Sequence, residues 1–369
     1  MTRKLHYVGT LPAELVTSDR VVMQWVIDHS EGHAVTAVPR DLDPDWIMEY
    51  LLARKDQDVF EVRRQGEYAD YSDFPSYGLR SGHRLERQHV SMDRIDRIGE
   101  VVAAFNTLQG DRAELGATKV QISQPNPLDL AMFVFAGAAV SNGFPLGRAL
   151  RRSGLFIAAL RHLPVFADAV LEEMRTVIAQ HGDRVVFQLE SPLALLSMVK
   201  AQQLHAQWAI APLVARQLAG VIERMHEIAA DIVVHLCYGD YKHKSLLSPR
   251  DLAPAVNLLN STARQLNRRD VALPPVHIPC AYGAEPAPQD RAFYAPLRRL
   301  DPGWRLIAGV VSPDSAEDSA RALTHFEQAS GRTAYGVGTA CGLGRCSAED
   351  AALAAANMIA VALADETHG

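Results

Sequence analysis

Short runs of apolar residues alternate with longer amphipathic segments along the second half of the chain. Apolar runs without polar alternation are typical of parallel strands that are covered on both faces. The runs that we interpret as strands are 185–190, 231–237, 275–280, 305–311 and 333–338. The segments with helical periodicity are 164–181, 210–228, 248–267, 315–330 and 347–364. This alternation predicts a parallel sheet with helices on its outer surface.

Serine residues mark the expected starts of two of these helices. Ser248 is followed by Asp251, and Ser347 is followed by Glu349 and Asp350. A serine hydroxyl accepts a hydrogen bond from the first amide groups of a helix, and acidic residues are favourable in its first turn. We therefore expect helices to begin directly after Ser248 and Ser347.

The first half of the chain contributes three further strand candidates, at 5–10, 34–38 and 119–124. Eight strands with intervening helices favour a closed α/β barrel, the (β/α)8 TIM barrel, over an open doubly wound sheet. The open sheet remains the alternative, because periodicity does not show closure. One barrel accounts for residues 1–369 as a single domain, since barrels of this class often run to ~250 residues or more.

One stretch, 55–95, fits neither the strand nor the helix period. It is rich in Tyr, Arg, Asp and Gly, and its tyrosines include Tyr68, Tyr71 and Tyr77. We interpret it as an excursion between the second and third strands, at one end of the barrel. Loops of that length in compact domains are usually functional lids or disordered, and the tyrosines favour a lid.

Composition and charge exclude several classes of function. Of the 369 residues, 48% are hydrophobic, and the formal net charge is −6. This balance predicts no nucleic-acid partner and no attraction to an anionic membrane surface. We expect no apolar stretch of about 18 residues to span a bilayer and no signal peptide, so the expected location is cytoplasmic. Four cysteines are too few for a disulfide scaffold of this length.

Metal-binding side chains gather at the carboxyl ends of the predicted strands, where the active sites of such barrels lie. They are Glu190, His235, Cys237, Cys280 and Cys341. His235 and Cys237 are two residues apart and share one face of their strand. One histidine and two cysteines with an open fourth position are typical of catalytic zinc. The alternative is a core histidine beside a buried cysteine.

Several motifs together resemble the catalytic barrel of the cobalamin-independent methionine synthases. They are HLCYG at 235–239, CGL at 341–343, QLESP at 188–192, VGTLP at 8–12 and GVVSPD at 309–314. They follow the family's order along the whole chain, and HLCYGD with its KHK continuation also resembles a little-characterised single-barrel branch of this group. The resemblance implies a zinc ion that carries the thiol of homocysteine, whose thiolate attacks a methyl group on a folate.

The resemblance assigns His235, Cys237 and Cys341 as three zinc ligands. The family's remaining ligand is typically a Glu on the intervening strand, and this strand has none. It carries Cys280 and His277 instead, and either residue type ligates zinc. We rank Cys280 first, because its spacing to Cys341 fits better, and we keep His277 as the alternative.

The resemblance also implies how the amino acid substrate is bound. Glu190 stands where the family has an Asp that holds the substrate's amino group, and Thr10 stands where a Ser contacts its carboxylate. The family's Gly-Glu after the second strand is absent, and Asp41 or Asp43 is its candidate replacement. Arg40, beside them, favours an anionic substrate instead.

The loop after the fifth strand supplies further candidates. Tyr238 and Asp240 are expected to line the pocket. His243, flanked by two lysines, is a candidate general acid or substrate contact, with a solvated loop histidine as the alternative. Together with Glu190, we regard Asp240 and His243 as the catalytic candidates.

These features predict a zinc-dependent methyl- or alkyltransferase in which a thiolate attacks an electrophilic carbon. Its partners are a thiol and an alkyl donor. The alkyl donor is left open between folate and another compound, because the second barrel that helps full-length synthases bind folate polyglutamate is absent. Whether the protein forms a homo-oligomer is also left open. A close variant is a zinc-dependent enzyme of a specialised pathway that forms C–S bonds or acts as a C–S lyase. Two competing hypotheses are a metal-free decarboxylase of the uroporphyrinogen type and a degenerate, non-enzymatic barrel.

Overall fold

The computed structural model describes residues 3–43, 45–66, 73–137, 153–241, 244–282 and 285–364. The strands within these residues are β1 (Lys4–His6), β2 (Val38–Pro39), β3 (Phe60–Arg64), β4 (Ser76–Leu79), β5 (Val120–Pro125), β6 (Val185–Glu190), β7 (Asp231–His235), β8 (Asp240–Tyr241), β9 (Lys244–Ser245), β10 (Pro275–Pro279), β11 (Arg305–Val311) and β12 (Gly336–Thr339). Eight of them form one parallel sheet in the order β1-β12-β11-β10-β7-β6-β5-β2. Each of the eight overlaps or adjoins a predicted strand.

The sheet closes on itself through its first and last strands. Leu5 of β1 forms a parallel bridge with Val35, just before β2. The Leu5 amide donates to Ala34 O at 2.9 Å, and the Thr36 amide donates to Leu5 O at 2.9 Å. The eight strands therefore form the predicted (β/α)8 barrel, and the open doubly wound alternative is wrong.

Helices cover the outside of the barrel, as the amphipathic segments predicted. Within the described residues they are α1 (Asp19–Asp28), α2 (Met48–Ala53), α3 (Ile95–Asp111), α4 (Pro127–Ala136), α5 (Ser153–His181), α6 (Pro192–Gln203), α7 (Gln207–Glu227), α8 (Ala253–Asn267), α9 (Arg291–Tyr294), α10 (Ala316–Ser330) and α11 (Ala348–Leu363). Their apolar faces and the outer face of the sheet form the main hydrophobic core. Burial of this apolar surface is the main driving force for the fold.

The two predicted helix starts have different outcomes. Ser347 caps α11, and its hydroxyl accepts from the Asp350 amide at 3.0 Å. The helix expected after Ser248 begins later, at Ala253. There the Asp251 carboxylate accepts from the Ala253 amide at 2.8 Å. A carboxylate near the positive end of the helix dipole, rather than the serine hydroxyl, therefore supplies this acceptor.

The excursion between the second and third barrel strands contains an antiparallel pair of strands, β3 and β4. Tyr77, in β4, is buried, and its hydroxyl donates to Leu51 O at 2.6 Å. This tyrosine is therefore a core residue rather than part of a mobile surface. Tyr68 and Tyr71 lie outside the described residues.

One helical segment corrects an expectation from the sequence. Gly154–Arg184 is long and apolar enough, by length and composition, to cross a membrane, and 33% of its most apolar window is buried. This is a weak indication, because core helices pass the same test. Most of the segment belongs to α5, which packs against α4 and α3 on the outside of the barrel.

Candidate metal centre

The predicted site residues converge at the C-terminal end of the barrel. Glu190, His235 and His277 are register partners on the neighbouring strands β6, β7 and β10. Cys237 follows the last residue of β7 by two positions, and Cys341 follows the last residue of β12 by two. Parallel strands thus bring together residues that are more than 100 positions apart in the sequence.

His235, Cys237 and Cys341 form a group whose candidate ligand atoms all lie within 4.8 Å of one another. The two Sγ atoms are 3.8 Å apart. Zn–S bonds of about 2.3 Å in a tetrahedron place two sulfur atoms about 3.8 Å apart. The spacing of the two thiols is therefore already that of zinc ligands, and the histidine supplies a third donor of the right kind.

The backbone around Cys237 and Cys341 holds both side chains in place. Gly239 adopts a φ of 71°, which favours glycine, and its amide donates to Cys237 Sγ at 3.3 Å. Such a hydrogen bond stabilises the thiolate over the thiol. The Thr339 hydroxyl donates to the Cys341 carbonyl oxygen at 2.6 Å. Both cysteine turns are thus fixed by contacts within a few residues.

Thr10 contacts the turn that follows Cys341. Its Oγ1 accepts from the Gly344 amide at 3.3 Å, and its carbonyl oxygen accepts from the Leu343 amide at 2.8 Å. A Cβ added at Gly342 would lie 2.2 Å from Thr10 Oγ1. The loop after β1 is therefore packed on the Cys341 turn, which explains why glycine occupies position 342. The expected contact of Thr10 with a substrate carboxylate stays a prediction.

His235 and His277 are joined by a hydrogen bond inside the barrel. The Nδ1 atoms of the two rings are 2.9 Å apart, and His277 Nε2 lies 3.0 Å from the Thr339 carbonyl oxygen. Burial lowers the pKa of His235 well below its usual range and that of His277 to about 4, so both rings are neutral at pH 7. Both nitrogens of His277 have partners other than a metal.

The structure does not bring Cys280 into the group of ligand atoms. Its side chain is fully buried, and Sγ donates to the Ile278 carbonyl oxygen at 3.7 Å. Burial raises the pKa of the Cys280 thiol far above its usual range, which disfavours the thiolate that metals bind. Neither residue joins the group of ligand atoms among the described residues, since Cys280 faces the core and His277 bonds to Thr339, and a fourth protein ligand stays a prediction.

Two carboxyl groups lie near the metal group, Asp41 close to Cys341 and Glu190 at the register position of His235. Burial, and then the charge of Glu190, raise the pKa of Asp41 well above its usual range, and burial also raises the pKa of Glu190. A Cβ added at Gly9 would lie 2.5 Å from both carboxylate oxygens of Asp41, so glycine leaves the room that Asp41 occupies. Asp43 instead accepts from the Asp45 amide at 3.0 Å and from the Glu49 amide, in the first turn of α2, at 2.9 Å. Asp41 is thus the acidic residue that meets Glu190.

Trp46 is a site residue that the sequence did not indicate. Its side chain lies near Glu190 and opposes the rise in the pKa of that carboxyl group, and Gln188 Nε2 donates to Glu190 Oε1 at 3.2 Å. The Trp46 backbone has a φ of 70°, an unfavourable conformation for a bulky residue. Strain of this kind concentrates at functional sites. The neighbouring Asp43 and Asp45 gave no sequence signal that this ring turns inward.

The remaining candidates are placed as follows. Arg40 Nε donates to Asp19 Oδ1 at 2.7 Å, and only 13% of the Arg40 side chain is exposed, so this ion pair occupies it. Tyr238 is buried and lines a cavity of about 290 Å³ that Cys237 and Cys341 also border. Asp240 lies in the short strand β8, and His243 lies outside the described residues.

Comparisons with known proteins agree with this architecture. No family model and no curated protein matches the sequence. The chain is similar in structure to a B12-independent methionine synthase from Shewanella sp. W3-18-1 in complex with selenomethionine, with 12% identity and a TM-score of 0.54 over 98% of this chain and 97% of that one. It is also similar to a methyltransferase from Methanosarcina mazei, with 11% identity and a TM-score of 0.56 over 98% and 93%. These likenesses show that the chain has the barrel fold of a methionine synthase and of a methyltransferase, in agreement with the resemblance of its motifs.

Proposed function

We propose that this protein is a zinc-dependent methyl- or alkyltransferase that acts on a thiol. The observation that carries the proposal is the group of His235, Cys237 and Cys341, with its Sγ–Sγ distance of 3.8 Å. One nitrogen and two sulfur donors are a set that zinc prefers, and three protein ligands are typical of catalytic sites. Bound zinc supplies one chemical effect, which is to lower the pKa of a coordinated thiol until the thiolate predominates at neutral pH.

Asp41 and Glu190 are proposed to hold a positively charged group of the thiol substrate. Their raised pKa values mean that the site favours a proton on the pair when no other cation is present. A substrate ammonium replaces that proton and satisfies both carboxylates at once. An amino acid with a thiol side chain fits this arrangement, and the methionine synthase neighbour binds the related amino acid selenomethionine.

The cavity of about 290 Å³ beside the cysteines is the proposed position of the alkyl donor. It borders Cys237 and Cys341 on one side and is lined by Tyr238 and Tyr282, whose rings meet edge to face at 6.2 Å. Holding the electrophilic carbon there, in line with the sulfur, lowers the entropic cost of the displacement. The chain's own contribution is therefore to orient both substrates.

The decarboxylase hypothesis is less well supported by the geometry. Enzymes of that type hold substrate carboxylates with arginines, and Arg40, the nearest arginine in the sequence to Asp41, is paired with Asp19. The carboxyl group of Asp41 is close enough to Cys341 for the charges of the two groups to interact, which suits a cationic substrate better than a carboxylate. A zinc-dependent C–S lyase uses the same ligands and is separated from a transferase by the products formed from the thiol substrate.

Metal analysis tests the proposal. We expect nearly one zinc per chain in the wild-type protein, and its loss in Cys237→Ser and in Cys341→Ser. Cys280→Ala is the matched control, since it removes a buried thiol outside the group and should keep the zinc. A metal-free wild-type protein, or folded ligand variants that keep the metal, would contradict the proposal.

Thermal shift with thiols tests the substrate class. Ligands that bind only the folded protein raise its melting temperature. We expect homocysteine and cysteine to raise it in the zinc-loaded protein and to lose this effect in Cys237→Ser. A shift with thiols that lack an amino group, equal to the shift with homocysteine, would contradict the role of Asp41 and Glu190.

A further inference from the structure

A chain of hydrogen bonds links His235 to the backbone of β12. The Thr339 carbonyl oxygen lies 3.0 Å from His277 Nε2, and His277 Nδ1 lies 2.9 Å from His235 Nδ1. His277 is fully buried and His235 is 3% exposed. The two rings are also stacked, with centroids 4.8 Å apart and an interplanar angle of 24°. The orientation of the His235 ring is therefore set by His277.

The direction of each hydrogen bond follows from the chemistry of its atoms. A carbonyl oxygen only accepts, so His277 Nε2 carries a proton and donates it to Thr339. A neutral imidazole has one protonated nitrogen, which leaves His277 Nδ1 as an acceptor. His235 Nδ1 must then carry its own proton. The lone pair of His235 consequently lies on Nε2, the nitrogen that a metal binds in this tautomer.

We propose that His277 is a positioning residue that fixes the tautomer and orientation of His235 for zinc binding. This inference rests on the proposed zinc site. It gives His277 a role different from that of a ligand. Because His277 Nε2 donates to the Thr339 carbonyl oxygen, His277 Nδ1 is left to accept the proton of His235 Nδ1. Partners of this kind typically change metal affinity by about 10–100-fold when they are removed.

The neighbouring strand is shaped to admit the His277 ring. A Cβ added at Gly309, in β11, would lie 2.6 Å from His277 Nε2 and 2.9 Å from Cε1. No real Cβ approaches a ring that closely without displacing it. The position of the His277 ring therefore requires glycine at position 309, and through this ring Gly309 is linked to His235, which lies two strands away in the sheet.

Zinc affinity of His277 variants tests this role, measured by competition with a chromophoric chelator. We expect His277→Leu to weaken zinc binding by about 10–100-fold, because it removes the acceptor for His235. His277→Gln should restore much of the affinity, because its amide donates to Thr339 and its carbonyl accepts from His235. His6→Leu is the matched control, since it removes another fully buried imidazole, 5.2 Å from the His277 ring, and leaves the chain of hydrogen bonds intact.

Nitrogen NMR of the metal-free wild-type protein reads the tautomer directly. We expect His235 to carry its proton on Nδ1 in the wild-type protein and in His277→Gln, and to mix both tautomers in His277→Leu. A proton on His235 Nε2 in the wild-type protein would overturn the inference, as would a folded His277→Leu protein with wild-type zinc affinity. If the wild-type protein binds no zinc, the proposed function fails, whereas the tautomer still tests His277 by itself.

Discussion

At the N-terminal end of the barrel a cavity of about 670 Å³ is lined by several charged residues, whereas the cavity of about 290 Å³ at the C-terminal end borders Cys237 and Cys341. The charges at the N-terminal end have partners. Lys119 pairs with Asp231 at 2.9 Å, and Lys4 and Arg305 both lie over the Tyr335 ring, at 5.3 and 5.2 Å.

At the C-terminal end, by contrast, side chains of the types that bind a metal or a cationic substrate converge. Two thiols lie at the spacing of metal ligands, and two carboxyl groups near Cys341 and His235 have raised pKa values. Burial of ionisable groups is costly, and it persists where function requires it. The larger cavity is therefore not the better candidate for a functional site. The end of the barrel where metal-binding side chains and carboxyl groups with shifted pKa values converge is the better one.

The largest expected effect concerns the carboxyl pair. Asp41→Asn and Glu190→Gln should each weaken homocysteine binding by about 2–5 kcal/mol, because each leaves a buried ammonium with an incomplete partner. Calorimetry of the zinc-loaded proteins measures this loss. The desamino analogue of homocysteine serves as the control, since its affinity should not fall in either variant. Equal losses for both ligands would indicate a general change in the site.

A smaller effect is expected for the residue that makes room for His277. Gly309→Ala should reduce zinc affinity by about tenfold or more, because its Cβ displaces the His277 ring. A double-mutant cycle with His277→Ala sharpens the test, since the added methyl group should cost nothing further once the ring is absent. Additive losses would show that Gly309 acts through another contact.

The raised pKa of Asp41 predicts how stability depends on pH. Between the unfolded pKa, about 3.9, and the raised folded value, the folded protein binds a proton that the unfolded chain has released. The contribution of Asp41 to the free energy of unfolding therefore falls with rising pH, by up to about 1.4 kcal/mol per unit. Below a pH of about 3.9 this contribution is constant.

Urea unfolding of the metal-free protein at a series of pH values measures this dependence. Asp41→Asn should remove the part of the decline that Asp41 causes and become more stable relative to the wild-type protein as the pH rises through that window. A wild-type protein that gains stability relative to Asp41→Asn over the same window would show that the folded pKa of Asp41 is lowered instead.

The smallest expected effect is at the N-terminal end of the barrel. Lys4→Ala and Arg305→Ala should leave zinc content unchanged and lower the free energy of unfolding by about 0.5–1 kcal/mol each, the range for exposed cation–π contacts. Chemical denaturation and metal analysis of the same samples measure both quantities. Loss of zinc in either variant would mean that the two ends of the barrel are coupled.

Much of the fold was predictable because it depends on local patterns. The apolar runs at 185–190 and 231–237 coincide with or contain β6 and β7, and the amphipathic segment 315–330 is matched by α10 (Ala316–Ser330). Closure was predicted only from the count of eight strands, because the contact of Leu5 with Val35 that shows it is encoded by no periodicity. The apolar character of Gly154–Arg184 was also missed.

The candidate site was predictable where strand ends carry unusual residue types. His235, Cys237 and Cys341 were indicated by position and by resemblance, and the structure brings them together. Cys280 was ranked as a ligand by spacing, but the direction of its side chain depends on the packing around Ile278. The roles of Trp46 and His277 depend on contacts between distant elements, which a sequence does not specify.

X-ray absorption spectroscopy of the zinc-loaded protein is the most direct test of the proposed zinc site, because it counts the atoms around the metal. With His235, Cys237 and Cys341 as ligands, we expect two sulfur neighbours in the protein alone and three after homocysteine is added. The selenium analogue of homocysteine should place one selenium atom beside the zinc. Three sulfur neighbours before homocysteine is added, or no change after it is added, would contradict this set of ligands.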